Sequence, residues 1–347
     1  MKAWLLPNDA LQQFSADLMA AHRLIAPVRR EDELRFAEVT SADQVELSFR
    51  NTVKAPKDVL LPQTETMIRY EKVLDRFDAV AEVPLDVRPT VLLGVRPCDA
   101  RSYLLMDRVF GEGRYVDPYY RARRDHLTVV SMACDRPRMT CFCHAFESGP
   151  DDPEGSDVML YPAGDAYVVR TFTAKGAELL ATLDLAEADA DHVDAAERSK
   201  EQAREMLAEI EPVAGIEEAL SGLFDSEMWA DIANKCLACG TCTYNCPTCH
   251  CFTIEDKTRA TGGERVRVWD SCMYGKFTVH TSGHNPRPDQ AARWRQRTMH
   301  KFEYLPRNVD LYGCVGCGRC IRSCPVRLDI RAVLQRVREE TVDQVTT

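Results

Sequence analysis

The sequence predicts an α/β domain over residues 1–222, followed by a mainly α-helical, cysteine-rich domain over 223–347. Three observations predict it. The first is the placement of 15 cysteines in 347 residues: none precedes Cys98, four lie between Cys98 and Cys143, and eleven fall between Cys236 and Cys324. The second is a pair of short runs, 90–95 and 127–133, rich in aliphatic and β-branched residues, with helical spacing between them. The third is a cysteine motif that occurs twice, late in the chain. At about 100–200 residues per domain, two domains are expected.

Composition narrows the function classes. Hydrophobic residues make up 45% and charged residues 28%, as in compact proteins with real cores. The formal net charge of −10 argues against a general nucleic-acid-binding role. No run approaches the roughly 18–20 apolar residues of a membrane helix. Lys2 is followed by Pro7 and Asp9 without a leader-like apolar core, so the expected location is the cytoplasm. Disulfides are rare there, and this many cysteines then point to metal or redox chemistry.

Taken in order, 90–95 and 127–133 read as buried strands, with a helix over 99–110 carried by Leu104, Leu105, Met106 and Val109. The stretches 158–161 and 167–172, split by Pro162-Ala163-Gly164-Asp165, read as a hairpin. From 175 to about 210 the chain is rich in Ala, Glu and Leu. It reads as helices, 195–211 among them, and as an acidic linker between the domains. Residues 291–301 read as a further helix.

The repeated motif is Cys236-Leu-Ala-Cys239-Gly-Thr-Cys242-Thr-Tyr-Asn-Cys246-Pro247 and Cys314-Val-Gly-Cys317-Gly-Arg-Cys320-Ile-Arg-Ser-Cys324-Pro325. Both fit C-x2-C-x2-C-x3-C-P, the run with which bacterial ferredoxins bind 4Fe–4S clusters. Three thiolates two residues apart on a tight loop can wrap one cubane, and Gly240 and Gly318 let backbone N–H groups approach sulfur. In two-cluster ferredoxins the fourth cysteine ligates the other cluster. Cys236, Cys239, Cys242 and Cys324 are therefore assigned to one cluster, and Cys314, Cys317, Cys320 and Cys246 to the second. A pair of zinc ribbons is the alternative for C-x2-C pairs, and two complete runs ending in Cys-Pro weigh against it. The long insertion from Cys246 to Cys314 suits the mainly helical ferredoxin domains of multisubunit oxidoreductases.

Cys98 and Cys134 each follow one of the predicted strands. If those strands are parallel neighbours, both cysteines emerge at the same carboxyl edge, where open α/β sheets place ligands. Cys141 and Cys143 on the next loop would complete a four-thiolate cage for a third 4Fe–4S cluster. Buried cysteine acting as a small hydrophobe is the alternative. Cys249, Cys251 and Cys272 remain without a role; packing near the second cluster, a reactive thiol or an additional metal site are all open. His280, His284 and His300 read as structural histidines, or as donors to cluster sulfur. The basic series Arg287, Arg293, Arg295, Arg297 and Lys301 reads as a solvated face, a dock for an acidic partner, or an offset to cluster charge.

Gly94-Val95-Arg96-Pro97-Cys98-Asp99, Cys141-Phe142-Cys143, Cys246-Pro247-Thr248-Cys249-His250-Cys251-Phe252, Trp269-Asp270-Ser271-Cys272, Gly283-His284-Asn285 and 314–325 stand in a familiar order. With them the chain resembles, from about Pro56 to Ile330, the iron–sulfur beta subunits of cytosolic sulfhydrogenases, which are NAD(P)-linked nickel–iron hydrogenases. It is similar also to the dicluster iron–sulfur subunit of anaerobic sulfite reductases. The resemblance implies a non-catalytic electron-wiring subunit of a hetero-oligomer, placed between a catalytic redox chain and a flavin/NAD(P)-binding subunit. It also favours a cluster at Cys98, Cys134, Cys141 and Cys143.

What the sequence lacks agrees with a carrier. No G-x-G-x-x-G follows a strand, and no general-base constellation stands out. The alternative is an enzyme, a sulfur or disulfide reductase in which Cys249, Cys251 or Cys272 is the reacting thiol. A redox sensor is disfavoured by the lack of a DNA-reading basic domain.

Overall fold

A computed structural model describes residues 2–73 and 76–346. The chain divides into two compact units. The first comprises Met1–Pro56, Val87–Ala214 and Cys314–Arg322; the second comprises Lys57–Asp86, Gly215–Gly313 and Ser323–Thr347. One division falls between 214 and 215 rather than after 222, and two further segments cross it in sequence: 57–86 goes with the second unit and 314–322 with the first.

The first unit is a mixed eight-stranded sheet. From one edge the strands run Ala186–Glu187, Trp4–Pro7, Ala166–Thr171, Val158–Ala163, Leu127–Met132, Thr90–Val95, Arg23–Arg30 and Glu33–Glu38. The four strands Val158–Ala163, Leu127–Met132, Thr90–Val95 and Arg23–Arg30 are mutually parallel, and the outer pairings are antiparallel. Thr90–Val95 and Leu127–Met132 are buried at all six positions, as the apolar runs predict for strands covered on both faces. Leu93, Val91, Val130, Met132 and Leu160 form the middle of the main core with Phe14 and Leu18 of the helix Leu11–Ala21. The predicted hairpin is Val158–Ala163 paired antiparallel with Ala166–Thr171.

Helices follow the strands. Pro97–Met106 starts straight after Thr90–Val95, with Pro97 in its first turn, where a missing N–H costs nothing. It ends in a π-helical turn, Asp107–Gly111, fixed by Asp107, which accepts from the Tyr120 hydroxyl at 2.7 Å and from Arg124 Nε at 3.1 Å. The acidic stretch expected as a linker is part of the fold. Its helix, Ala190–Glu205, is capped by Asp189 and lays Ala196 on Met159, Tyr161 and Val168. Lys200 adds an ammonium 4.1 Å from the Tyr161 ring. Small side chains on its inner face let it lie close against the sheet, and most of its other charges are exposed.

The second unit combines helices with a sheet, so helices alone do not describe it. Phe252–Arg259, Gly262–Trp269, Thr64–Val73 and Arg76–Glu82 form a four-stranded antiparallel sheet in that order. Its two middle strands are tied by a buried ion pair, Arg267 Nη2 to Glu65 Oε2 at 2.5 Å. The helices include Met228–Ala233, Gln290–Met299 and Ile330–Thr346, and Gln290–Met299 runs into a π-helical turn, His300–Tyr304. No helix among the described residues is long and apolar enough to cross a membrane.

Candidate metal centre

Cys98 and Cys134 sit where two parallel strands end. Thr90–Val95 and Leu127–Met132 pair in parallel, and each cysteine lies just beyond its strand. A small recess lies there, and Cys98, Cys134, Cys141 and Cys143 all line it. The four residues predicted as a third ligand set are thus brought to one place within the first unit. Cys141 closes a turn by donating its N–H to Arg138 O at 2.8 Å, and a short 3-10 turn, Cys143–Phe146, begins at Cys143.

A fifth cysteine shares the recess. Cys317 of the second motif also lines it, and its carbonyl accepts from Asn51 Nδ2 at 3.3 Å. The motif reaches this position by close backbone packing. Phe142 N donates to Gly316 O at 2.8 Å. Gly316 and Gly318 have φ of +63° and +68°, and a Cβ on them would fall 2.4 Å from the Phe142 and Cys143 backbone and 2.3 Å from Thr140 O, respectively. Both conditions demand glycine. Gly318 thus serves first to admit the 140–143 loop. Sequence reading missed this use because the loop that crowds the glycines is distant in the chain. Gly316→Ala is expected to push the loop off the motif and to lose roughly 10-fold or more in iron affinity at the recess, by analogy with disturbed supporting shells of metal sites. Iron content of the purified variant measures it.

Arg319, between Cys317 and Cys320, is fully buried and grips Asp99 with both Nη atoms, at 2.5 and 2.7 Å. Its Nε donates to Thr52 O at 2.9 Å. Asp99 is the residue after Cys98, so one charged bridge fixes the second motif against the helix that carries Cys98. Arg96 holds the opposite wall through the Ala133 carbonyl at 2.8 Å. Its Nε is buried and has no acceptor among the described residues. A group with sulfur acceptors fits that orphan donor.

Burial sets the chemistry of these thiols. It raises Cys98 and Cys143 above the ordinary thiol range, and pushes Cys134 up to about 11 against the pull of Arg96. Such thiols ionise when a metal takes the place of their protons. Among the described residues no three His, Cys, Asp or Glu side chains converge tightly enough for a single ion. A cubane takes its thiolates on separate corners, and the donor set here is all sulfur.

The first motif lies in the second unit. It leaves the helix Met228–Ala233, and N–H donors already point at sulfur: Ala238 N to Cys236 Sγ at 3.4 Å and Gln290 Nε2 to the same atom at 3.2 Å. Leu328 N does the same for Cys324 Sγ at 3.3 Å. Such bonds stabilise thiolate and tune cluster potential. Cys239 is exposed, and its Sγ lies 3.4 Å from Thr241 Oγ1. Cys246 is buried, with its sulfur 3.1 Å from Thr248 Oγ1 and 3.4 Å from Lys301 Nζ. Thr248 Oγ1 and Lys301 Nζ both donate to Gly313 O, which places Cys246 beside the residue preceding Cys314.

The basic series is a solvated face only in part. Arg297 and Lys301 are turned inward and are 2% and 4% exposed, with Arg297 Nη1 3.9 Å from Cys249 Sγ. Arg295 instead lies 3.8 Å over the Phe224 ring, and Arg293 bonds to Gln290 and the Arg287 carbonyl. Burial drives His250 down to about 4 and His300 to about 3, so both imidazoles are neutral at physiological pH; their rings meet edge-on at 5.7 Å. His280 and His284 pair with each other, 5.4 Å between rings.

Comparison with known proteins agrees with this chemistry. The family model described as a 4Fe-4S dicluster domain matches residues 235–328, spanning both motifs. No solved structure matches. Sulfhydrogenase 2 subunit beta of Pyrococcus furiosus is 33% identical over 341 residues, covering 96% of this chain and 98% of that protein. The chain therefore belongs to the family of sulfhydrogenase beta subunits, iron–sulfur proteins with a 4Fe-4S dicluster domain.

Proposed function

We propose that the chain is the electron-relay subunit of a hetero-oligomeric oxidoreductase. It passes electrons between a catalytic redox chain and a flavin/NAD(P)-binding subunit, without a substrate of its own. The observation that carries the reading is the convergence of Cys98, Cys134, Cys141 and Cys143 on one recess that Cys317 of the ferredoxin-type motif also lines. A carrier needs neighbouring clusters, and one wall serving two ligand sets would provide them. The similarity to a protein named as one subunit of an assembly supports a partnered role.

The proposed ligand sets are three: Cys236, Cys239, Cys242 and Cys324; Cys314, Cys317, Cys320 and Cys246; and Cys98, Cys134, Cys141 and Cys143. The bound cubanes would supply one-electron redox steps. The chain's own residues orient the thiolates, exclude water and donate hydrogen bonds to sulfur. Leu328 N and Gln290 serve the first set, Lys301 and Thr248 support Cys246, and Arg96 closes the third.

Iron and sulfide analysis of the anaerobically isolated complex tests the third set. Cys98→Ala is expected to lower iron by about four per chain, one cubane, while the dicluster domain keeps its own. Unchanged iron would remove the third cluster from the relay. Isolation from the native host tests the partners: flavoprotein and catalytic chains are expected to travel with this one. A chain that purifies alone and turns over a substrate unaided would overturn the relay reading.

A further inference from the structure

Cys249, Cys251 and Cys272 have no place in those ligand sets, and the second unit gathers them. Cys249 and Cys246 act on each other's ionisation, as do Cys251 and Cys272, and Cys249 and Cys272 lie within each other's electrostatic reach. The chain brings them together simply. Cys249 and Cys251 lead into the strand Phe252–Arg259, and Cys272 leaves its partner Gly262–Trp269. The ladder continues one step past the strands, with Asp270 N donating to Cys251 O at 2.9 Å, so the two cysteine-bearing segments run side by side.

Three buried cations stand near these cysteines and Cys246. Lys57, Arg297 and Lys301 are 4%, 2% and 4% exposed. Lys57 Nζ donates to Cys249 O at 2.8 Å and to Thr243 O at 3.2 Å, and lies 4.1 Å over the Trp269 ring. Arg297 and Lys301 reach Cys249 Sγ and Cys246 Sγ at 3.9 and 3.4 Å. Bringing a cation out of water costs several kcal/mol, which a neighbouring anion offsets far better than a neutral thiol does. Sulfur provides that anion as thiolate, and a bound metal keeps interior thiols ionised.

We infer that Cys249, Cys251 and Cys272 hold one further iron–sulfur cubane through three thiolates, beside Cys246 and under the cations Lys57, Arg297 and Lys301. The inference rests on the reading of the chain as an iron–sulfur carrier and adds a fourth centre to it. A lone zinc ion fits less well, because it needs three or four ligands within about 2.3 Å of one point, and no such group exists among the described residues.

The test is iron and acid-labile sulfide on the complex isolated without oxygen. Four cubanes require about 16 irons per chain, and Cys272→Ala is expected to leave about 12. Should that variant fold poorly, alkylation of the wild-type complex gives the same answer. Cys249, Cys251 and Cys272 are expected to resist reagent until a chelator strips iron, then to react as about four irons leave. Wild-type iron retained in Cys272→Ala would overturn the site. So would a Cys251–Cys272 disulfide in the isolated complex, or alkylation of all three thiols with no iron released. Iron lost in Cys272→Ala but not in Cys98→Ala would leave this site standing and remove the third relay cluster; the reverse result overturns this site alone.

Discussion

Cys236→Ala is expected to strip one cubane from the dicluster domain, about four irons per chain, and to cut electron flow through the complex by roughly 100-fold or more. That scale follows from metal sites generally, where loss of a supporting hydrogen bond alone costs about 10–100-fold. Cys236 is a severe place to cut, because its sulfur collects donors from Ala238 N and from Gln290. Gln290→Leu gives the graded counterpart: the cluster stays, its potential moves, and flow falls less. Iron analysis paired with dye-linked reduction rates separates the two. Retention of full iron in Cys236→Ala would mean that another residue ligates in its place, and the motif assignment would fail.

Arg319→Met is expected to lower the thermal midpoint of the protein by roughly 6–20 °C, from a cost of about 3–5 kcal/mol for stranding a buried carboxylate and about 2–4 °C per kcal/mol for domains of this size. Arg319 and Asp99 side chains are 0% and 1% exposed, so neither has water to fall back on. The double variant Asp99→Leu with Arg319→Met should regain much of that stability, since replacing both charges removes the desolvation cost as well as the attraction. It should still lose iron at the recess, because Asp99 and Arg319 fix Cys98 and Cys317 in place. A single variant as stable as the wild type would show that the pair bears no weight.

Much of the first unit could be read from sequence because its central strands are fully buried. Thr90–Val95 and Leu127–Met132 carry no polar face to blur the pattern, and their parallel pairing put Cys98 and Cys134 at one edge as expected. Arg23–Arg30 hid because its ends are charged and Pro27 interrupts it, although it completes the parallel set. The second sheet hid for a different reason. Phe252–Arg259 is mostly exposed and polar, so its strand character comes from backbone pairing with Gly262–Trp269 rather than from a buried face. The helix Ala190–Glu205 resembled a linker because its buried contacts are made by Ala196, Ala203 and the stem of Lys200. Arg297 and Lys301 looked like solvent-facing charge because the sulfurs they serve belong to Cys249 and Cys246, some fifty positions away. Motif spacing picks out candidate thiols; which cations stand near them depends on packing that spacing does not encode.

The membership of 314–322 in the first unit has a consequence for biogenesis. Domains usually fold as they leave the ribosome, N-terminal first, at about 5–20 residues per second. This one cannot finish that way. The wall made by Gly316, Cys317 and Arg319 emerges only about 170 residues after Cys143, so the recess stays unwalled until then. A ribosome that stalls before Arg322 releases a nascent chain whose first unit lacks the strip that lines the recess beside Cys98, Cys134, Cys141 and Cys143.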